Sequence, residues 1–209
     1  GEEANFTSNW LVDNSALDNY SKRSFAFDGV DDYIDCGNNS SINISGDLTL
    51  SAWVKIPSYP GDFFGIFSKI DGSTRNYEVL IRPTGQISFY TTNTTFTTST
   101  STVPLNTWTH VLITVNSGVT NGTKFYFNGV LDPTTGTHTV VGQTHNLNLG
   151  RRTTGDFDFL GNIDEVSIFD SAISIGDVWD GSGQPIDVSN VSGIVGNWRM
   201  GEDASFNGT

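Results

Sequence analysis

Residues 48–56 read LTLSAWVKI, with Leu48, Leu50, Ala52, Val54 and Ile56 at every second position. Only an extended chain alternates its side chains with a period of two, so the segment predicts a half-buried strand with Trp53 on the opposite face. The pattern recurs along the chain. YEVLIRPTGQISFYTT (77–92) predicts a hairpin closed at Pro83-Thr84-Gly85, and WTHVLITVN (108–116) predicts a further strand. KFYFNGVL (124–131) predicts a tight hairpin at Asn128-Gly129, because a two-residue hairpin turn needs two residues that accept positive φ. Strands are also predicted at 24–27, 32–36, 63–70, 146–151 and 162–169, and the Thr/Ser tract TTNTTFTTSTST (91–102) reads as an exposed edge strand or loop. One helix is predicted in SIGDVWDGS (174–182), with Ser174 as N-cap and Asp177 in the first turn. So many short strands in 209 residues require two packed sheets, an all-β antiparallel jelly-roll sandwich.

Charge narrows the partners. With 23 acidic against 10 basic residues, the net charge of −13 repels a nucleic-acid backbone or an anionic lipid surface and favours cations and neutral ligands. Cys36 is the sole cysteine, which excludes an internal disulfide and a cysteine-based zinc site; it is expected to pack as a small apolar residue at a strand end. No apolar run approaches the roughly 20 residues that span a bilayer, so no membrane insertion is expected. No basic-then-apolar leader opens the sequence, and any export signal is expected to lie outside it.

GEEANFT (1–7) is echoed by GEDASFN (201–207), with Gly, Glu, Ala and Phe at matching offsets. The echo predicts one unit of a tandem array: a domain over 1–193, followed by 194–209 as the start of a next repeat or as an edge strand completing the sandwich. A polar turn motif shared by two termini is the alternative.

The order SFAFDGVDDYIDCG, LTLSAWVKI, WTHVLITVN, KFYFNGVL, LGNIDEVSIFDSAIS resembles the laminin G-like domains of the concanavalin A-like lectin and glucanase superfamily, pentraxins included, over roughly residues 24–180. GIVGNWRMGEDASF resembles the opening strand of such domains, although here it comes last. The resemblance implies two curved antiparallel sheets, binding of glycans or cell-surface protein partners outside the cell, and often a calcium ion.

Three kinds of chemistry are weighed on these residues. Asp28, Asp31 and Asp32 around the Gly29 turn supply hard oxygens suited to calcium, and they equally suit a turn whose aspartates accept backbone N–H groups. The resemblance implies that the FDG turn and the IDE strand lie close together, which would add Asp164 and Glu165 as metal ligands. A sugar site combines aromatic surface with a few orienting polar groups. Tyr59, Arg75, Asn76, Arg151 and Arg152 are its candidates, while Phe64, Phe67, Phe125, Phe127 and Trp108 sit in strand patterns and are expected to be buried. Hydrolysis needs two carboxyls set across a bond. The Glu-x-Asp-x-x-Glu strand of glucan-cleaving family members is absent, and adjacent Asp164 and Glu165 point to opposite faces of a regular strand. His110, His138 and His145 show no zinc spacing. The sequence thus predicts no catalysis. It predicts a carbohydrate-binding or adhesion module with a structural calcium, repeated beside adjacent copies and displayed extracellularly, on a cell surface or on a virion, or alternatively a structural repeat joined through edge-strand exchange.

Overall fold

The computed structural model describes residues 11–13, 22–72 and 74–200. The matching segments 1–7 and 201–207 lie outside them. Among the described residues fourteen strands run in chain order. The first five are β1 (Leu11–Asp13), β2 (Arg23–Asp28), β3 (Ile34–Asp35), β4 (Leu48–Lys55) and β5 (Phe64–Asp71). Next come β6 (Thr74–Ile81), β7 (Gln86–Tyr90), β8 (Phe96–Thr102), β9 (Thr109–Val115) and β10 (Thr123–Phe127). The last four are β11 (Val130–Gly136), β12 (Asn148–Leu149), β13 (Leu160–Phe169) and β14 (Ile194–Trp198). They form an eight-stranded sheet in the order β1-β2-β13-β4-β9-β10-β11, with β14 also on β13, and a six-stranded sheet in the order β3-β12-β5-β6-β7-β8. Every ladder is antiparallel.

The alternation of β4 sets the core. Leu48, Leu50, Ala52, Val54 and Ile56 all enter the apolar cluster between the sheets, opposite Tyr77, Val79 and Ile81 of β6. Trp53 points the other way and is covered instead by Trp179, whose ring stacks on it at 5.6 Å. The segment after β13 folds back over the outer face of the eight-stranded sheet and closes a smaller core of Leu112, Phe169, Val178 and Val188. Within it the predicted helix is a single 3-10 turn, Ile175–Asp177, in which Asp177 Oδ2 accepts the Ser174 N–H at 2.9 Å. The cap is as expected. Propagation fails because Gly176 is a poor helix former and Trp179 is drawn onto Trp53.

The hairpin at Asn128-Gly129 has φ of 48° and 78° at its two central residues, the turn that pair of residues favours. β14 pairs with Val166–Phe169 of β13, beyond Leu160–Ile163 where β2 pairs, so residues 194–198 occupy a sheet position within their own chain. No helix among the described residues is long and apolar enough to cross a membrane.

The two sheets are also tied at their edges. Asp132 on β11 accepts the backbone N–H groups of Thr100 at 3.1 Å and Ser101 at 2.7 Å on β8, so donors of an edge strand are satisfied from the opposite sheet. Burial pushes the Asp132 carboxyl up, but the Ser101 hydroxyl and the N–H groups of Ser101, Thr100 and Thr134 outweigh it and hold the pKa at about 2. A carboxyl depressed in the folded state contributes stability that is complete above about pH 4 and is lost as the pH falls toward 2. Asp132→Asn is expected to cost about 2 kcal/mol at pH 7 and to flatten the acid limb between those values. Urea unfolding at stepped pH measures both, and identical acid limbs for the two proteins would refute the role.

Candidate functional site

On β6 the ladder with β5 slips between Lys69 and Ile70, because Tyr77 pairs with Lys69 and Arg75 with Ile70, leaving Asn76 as an extra residue. The bulge sends Asn76 and Tyr77 inward. Asn76 donates to the carbonyls of Ile44 at 2.8 Å and Val141 at 3.0 Å, and Tyr77 donates to that of Ile42, so Asn76 braces the core and does not face a ligand. Arg75 and Glu78 stand on the outer face. Glu78 is fully buried and receives Arg75 Nε at 2.7 Å on one oxygen and Arg152 Nε at 2.8 Å on the other. Arg75 also donates to Asn93 Oδ1 and lies over the Tyr90 ring at 5.3 Å. Two predicted sugar ligands are thus structural partners of a buried acid that the sequence pattern did not single out.

Arg152 belongs to a loop, residues 150–159, that crosses the outer face of the six-stranded sheet. Gly65 makes the crossing possible: a Cβ there would sit 3.1 Å from Arg151 C and Arg152 N, while its N–H donates to Phe157 O at 2.8 Å. Phe157 adopts φ of 59°, a conformation costly for a bulky residue, and its ring packs on Phe63 at 5.0 Å beneath the Arg152 guanidinium at 4.5 Å.

On one side of the loop lies a polar cleft of about 360 Å³. Tyr33 forms its aromatic wall, and Asp35, Asp71, His145, Asn146, Asn148 and Thr153 supply donors and acceptors. Local folding explains this set. Ile34, Leu147 and Leu149 enter the core, so the alternate residues Tyr33, Asp35, Asn146 and Asn148 face outward, and the β3-β12 ladder sets Asp35 opposite Asn148. Asp35 accepts the Gly37 N–H at 2.8 Å and the Asn146 amide at 2.9 Å. His145 Nε2 meets Thr74 Oγ1 at 2.8 Å. The buried Lys69 fixes the backbone behind it by donating to His145 O and Asn38 Oδ1, and burial pushes its pKa down to about 8. Of the predicted ligand residues, Arg151 reaches this cleft: its guanidinium lies over the Tyr33 ring at 5.4 Å and pairs with Asp158 at 3.0 Å. Tyr59 lies away from the cleft, its ring packed over Gly85 of the β6-β7 turn.

The structure gathers Asp28, Asp31 and Asp32, whose carboxylate oxygens lie within 4.8 Å of one another. Asp32 Oδ2 accepts the Asp28 N–H at 2.8 Å, and Asp28 Oδ1 accepts the Val30 N–H at 2.8 Å. Burial pushes the Asp32 carboxyl up; the Asp28 N–H opposes this, and the charges of Asp28 and Asp31 add to it. Asp158 is likewise pushed up by burial against the pull of Arg151, with Asp156 and Asp31 adding to the rise, so the acidic turn adjoins the ion pair behind Tyr33.

Asp164 and Glu165 do not join this group. β2 and β13 are neighbours as expected, but the register sets Leu160 beside Asp28 and Ile163 beside Phe25, which leaves Asp164 at the far end of β2. A bulge between Asp164 and Ser167 replaces the regular alternation. Glu165 has φ of 44°, its N–H donates to Asp164 Oδ1 at 2.8 Å, and its carboxylate faces Arg199 Nε at 3.6 Å. Tyr33, Asp35, Asn146 and Asn148 were legible in principle, since DDYID and NLNL alternate outward polar with inward apolar residues.

Two antiparallel sheets packed face to face define a jelly-roll-like β-sandwich. The chain belongs to the concanavalin A-like lectin/glucanases superfamily, whose laminin G family model matches residues 28–178. No curated protein sequence matches it. Similar solved structures include a Bacteroides ovatus protein assigned as carbohydrate-binding, at 16% identity and a TM-score of 0.68 over 88% of this chain and 53% of that one. Domain 4 of AbnA, a GH43 extracellular arabinanase from Geobacillus stearothermophilus, in complex with arabinotriose, matches at 21% and 0.61 over 79% and 77%. Trypanosoma rangeli sialidase matches at 15% and 0.55 over 73% of this chain and 26% of its own. These likenesses are of fold. The chain spans about a quarter of the sialidase and about half of the Bacteroides protein, and the fold is shared by glycosidases and carbohydrate-binding proteins.

Glu78 carries the loop. Glu78→Ala leaves two guanidinium groups without their common carboxylate and is expected to cost about 3 kcal/mol, read by chemical denaturation. Trypsin should then cut after Arg151 or Arg152 in the folded variant and spare the wild type; equal resistance would show that the loop is held without Glu78.

Proposed function

We propose that the protein is a non-catalytic glycan-binding module. The observation that carries this reading is the cleft beside Tyr33, where an aromatic ring borders side-chain amides, carboxylates, an imidazole and a hydroxyl. A pyranose presents an apolar face and a rim of hydroxyls, and such a wall and rim complement it. The two carboxylates of the cleft suit binding better than acid–base work. Asp35 has both oxygens engaged by the Gly37 N–H and the Asn146 amide, and the Asp71 side chain is 80% exposed, so neither is held as a free carboxyl aimed at a scissile bond.

Calcium is part of the same proposal. Asp28, Asp31 and Asp32 offer hard carboxylate oxygens at mutual distances that one ion bridges, and a cation would offset the repulsion that Asp32 experiences in its buried position. Asp164 and Glu165 are outside its reach by the β2-β13 register. The ion would brace the turn that leads into Tyr33 and need not touch the sugar. In this reading the module acts outside the cell, on a cell or virion surface, where adjacent copies add avidity to weak single sites.

A glycan array followed by calorimetry tests the binding. Tyr33→Ala and Asn148→Ala are each expected to weaken the best ligand about tenfold or more with unchanged melting temperature, and a wild type that binds no glycan would refute the module. For the metal, calcium at about 100 times its dissociation constant should stabilise the fold by about 2.7 kcal/mol over chelator, an increment that Asp32→Asn abolishes. Coincident melts with calcium and with chelator would exclude the ion.

A further inference from the structure

Four of the six arginines, Arg75, Arg82, Arg151 and Arg152, stand on the outer face of the six-stranded sheet in a chain of net charge −13. Three of them have carboxylate partners: Arg75 and Arg152 share Glu78, and Arg151 has Asp158. Arg82 differs. Among the described residues no carboxylate lies within ion-pair distance of it, and its only polar side-chain contact there is a weak one, to Ser88 Oγ at 3.4 Å. Its guanidinium is nonetheless held in place, half-buried over the Phe63 ring at 5.3 Å. Phe63 packs on Phe157, which in turn lies under Arg152, so Arg82 ends a stack of two rings capped by two guanidinium groups and anchored at its other end by Glu78.

We propose that Arg82, stacked on Phe63, forms a subsite for a carboxylate-bearing sugar residue, a uronic acid unit of the glycan bound in the Tyr33 cleft. The inference rests on the glycan-binding reading and names its ligand class. A planar guanidinium stacked on a ring keeps its N–H edge free for bidentate capture of a planar carboxylate, and prior ordering lowers the entropy lost on binding. Ser88, fully buried beneath it and bonded to Thr98 Oγ1 at 2.7 Å, helps to fix the guanidinium from below without facing the ligand. Tyr59, 38% exposed above the same β6-β7 turn, supplies aromatic surface for the ring of that sugar. The subsite and the cleft lie on one sheet face on either side of the 150–159 loop. From β3 to β6 is three strand spacings of about 4.8 Å, and Arg82, one residue past the Phe64–Ile81 pair, lies about three residues along the strands from the level of Tyr33, roughly 17 Å in all, a distance that a short oligosaccharide spans. The net charge of −13 also has a use: it repels polyanions at long range, so one captured carboxylate selects sparsely charged chains over densely charged ones.

The test is an array of oligosaccharides in matched forms, uronate-containing, carboxyl-reduced neutral and sulfated, against wild type, Arg82→Gln and Arg82→Lys. Uronate forms are expected to bind the wild type about tenfold tighter than their neutral counterparts. Arg82→Gln should abolish that ratio while leaving neutral binding unchanged, and Arg82→Lys, which keeps the charge without the fork, should retain part of it. A ratio near one in the wild type, a ratio that survives Arg82→Gln, or equal preference for sulfated forms overturns the subsite while the glycan-binding reading stands. If neither uronate nor neutral forms bind, the reading itself fails and the subsite falls with it. Loss of neutral binding through Tyr33→Ala, with Arg82→Gln silent on neutral forms, keeps the two failures apart.

Discussion

The buried carboxylate of Glu78 is the constraint on which the outer face of the six-stranded sheet depends. A fully buried charge is tolerated only when paired and hydrogen-bonded, and here each oxygen has its own guanidinium at 2.7 and 2.8 Å. One guanidinium comes from the same strand and the other from a loop 74 residues further along the chain. The pair therefore does more than neutralise charge: it pins the loop across the sheet at the point where Gly65 lets backbone approach backbone. With the loop pinned, Phe157 is held at an unfavourable φ, Arg151 is directed to Tyr33, and one sheet face is divided into two separate surfaces.

The fold was legible because its strands are regular where they make the core. In β4 the alternation maps residue by residue onto the inter-sheet cluster, and Asn128-Gly129 adopts the turn its chemistry favours. Legibility ended at the bulges. An extra residue at Asn76 reverses the facing of everything before it on β6, so Arg75 and Asn76 could not be assigned to their sides from alternation alone. The bulge after Asp164 likewise placed Asp164 and Glu165 in a local arrangement that period-two reasoning does not describe. Register was the second gap. Adjacency of the FDG and IDE segments followed from the family resemblance, but the offset that keeps Asp164 from Asp28 is set by the ladder itself. Tyr33, Asp35, Asn146 and Asn148 show their outward facing in the alternation but not their meeting: their segments are short, and β3 and β12 must pair before their polar faces come together.

The distribution of charge follows from the same scaffold. The acidic turn at Asp28, Asp31 and Asp32 adjoins Asp158, and Arg151 stands between that group and Tyr33, so the cleft side of the loop is bordered by negative charge with one fixed guanidinium. The opposite side is built on Arg75, Arg82 and Arg152 around a single buried acid. Arg75 and Arg152 are balanced by the buried Glu78 and by Asp156, which meets Arg152 at 3.4 Å, so the positive charge left on this side is that of Arg82, which has no counter-ion among the described residues. A sheet face that is polar and acidic on one side of a ridge and basic and aromatic on the other cannot treat the two ends of an extended ligand alike. A linear chain lying across the ridge would gain in one orientation what it lost in the other, and polarity of binding then follows from placement of charge on a rigid sheet, with no moving part required.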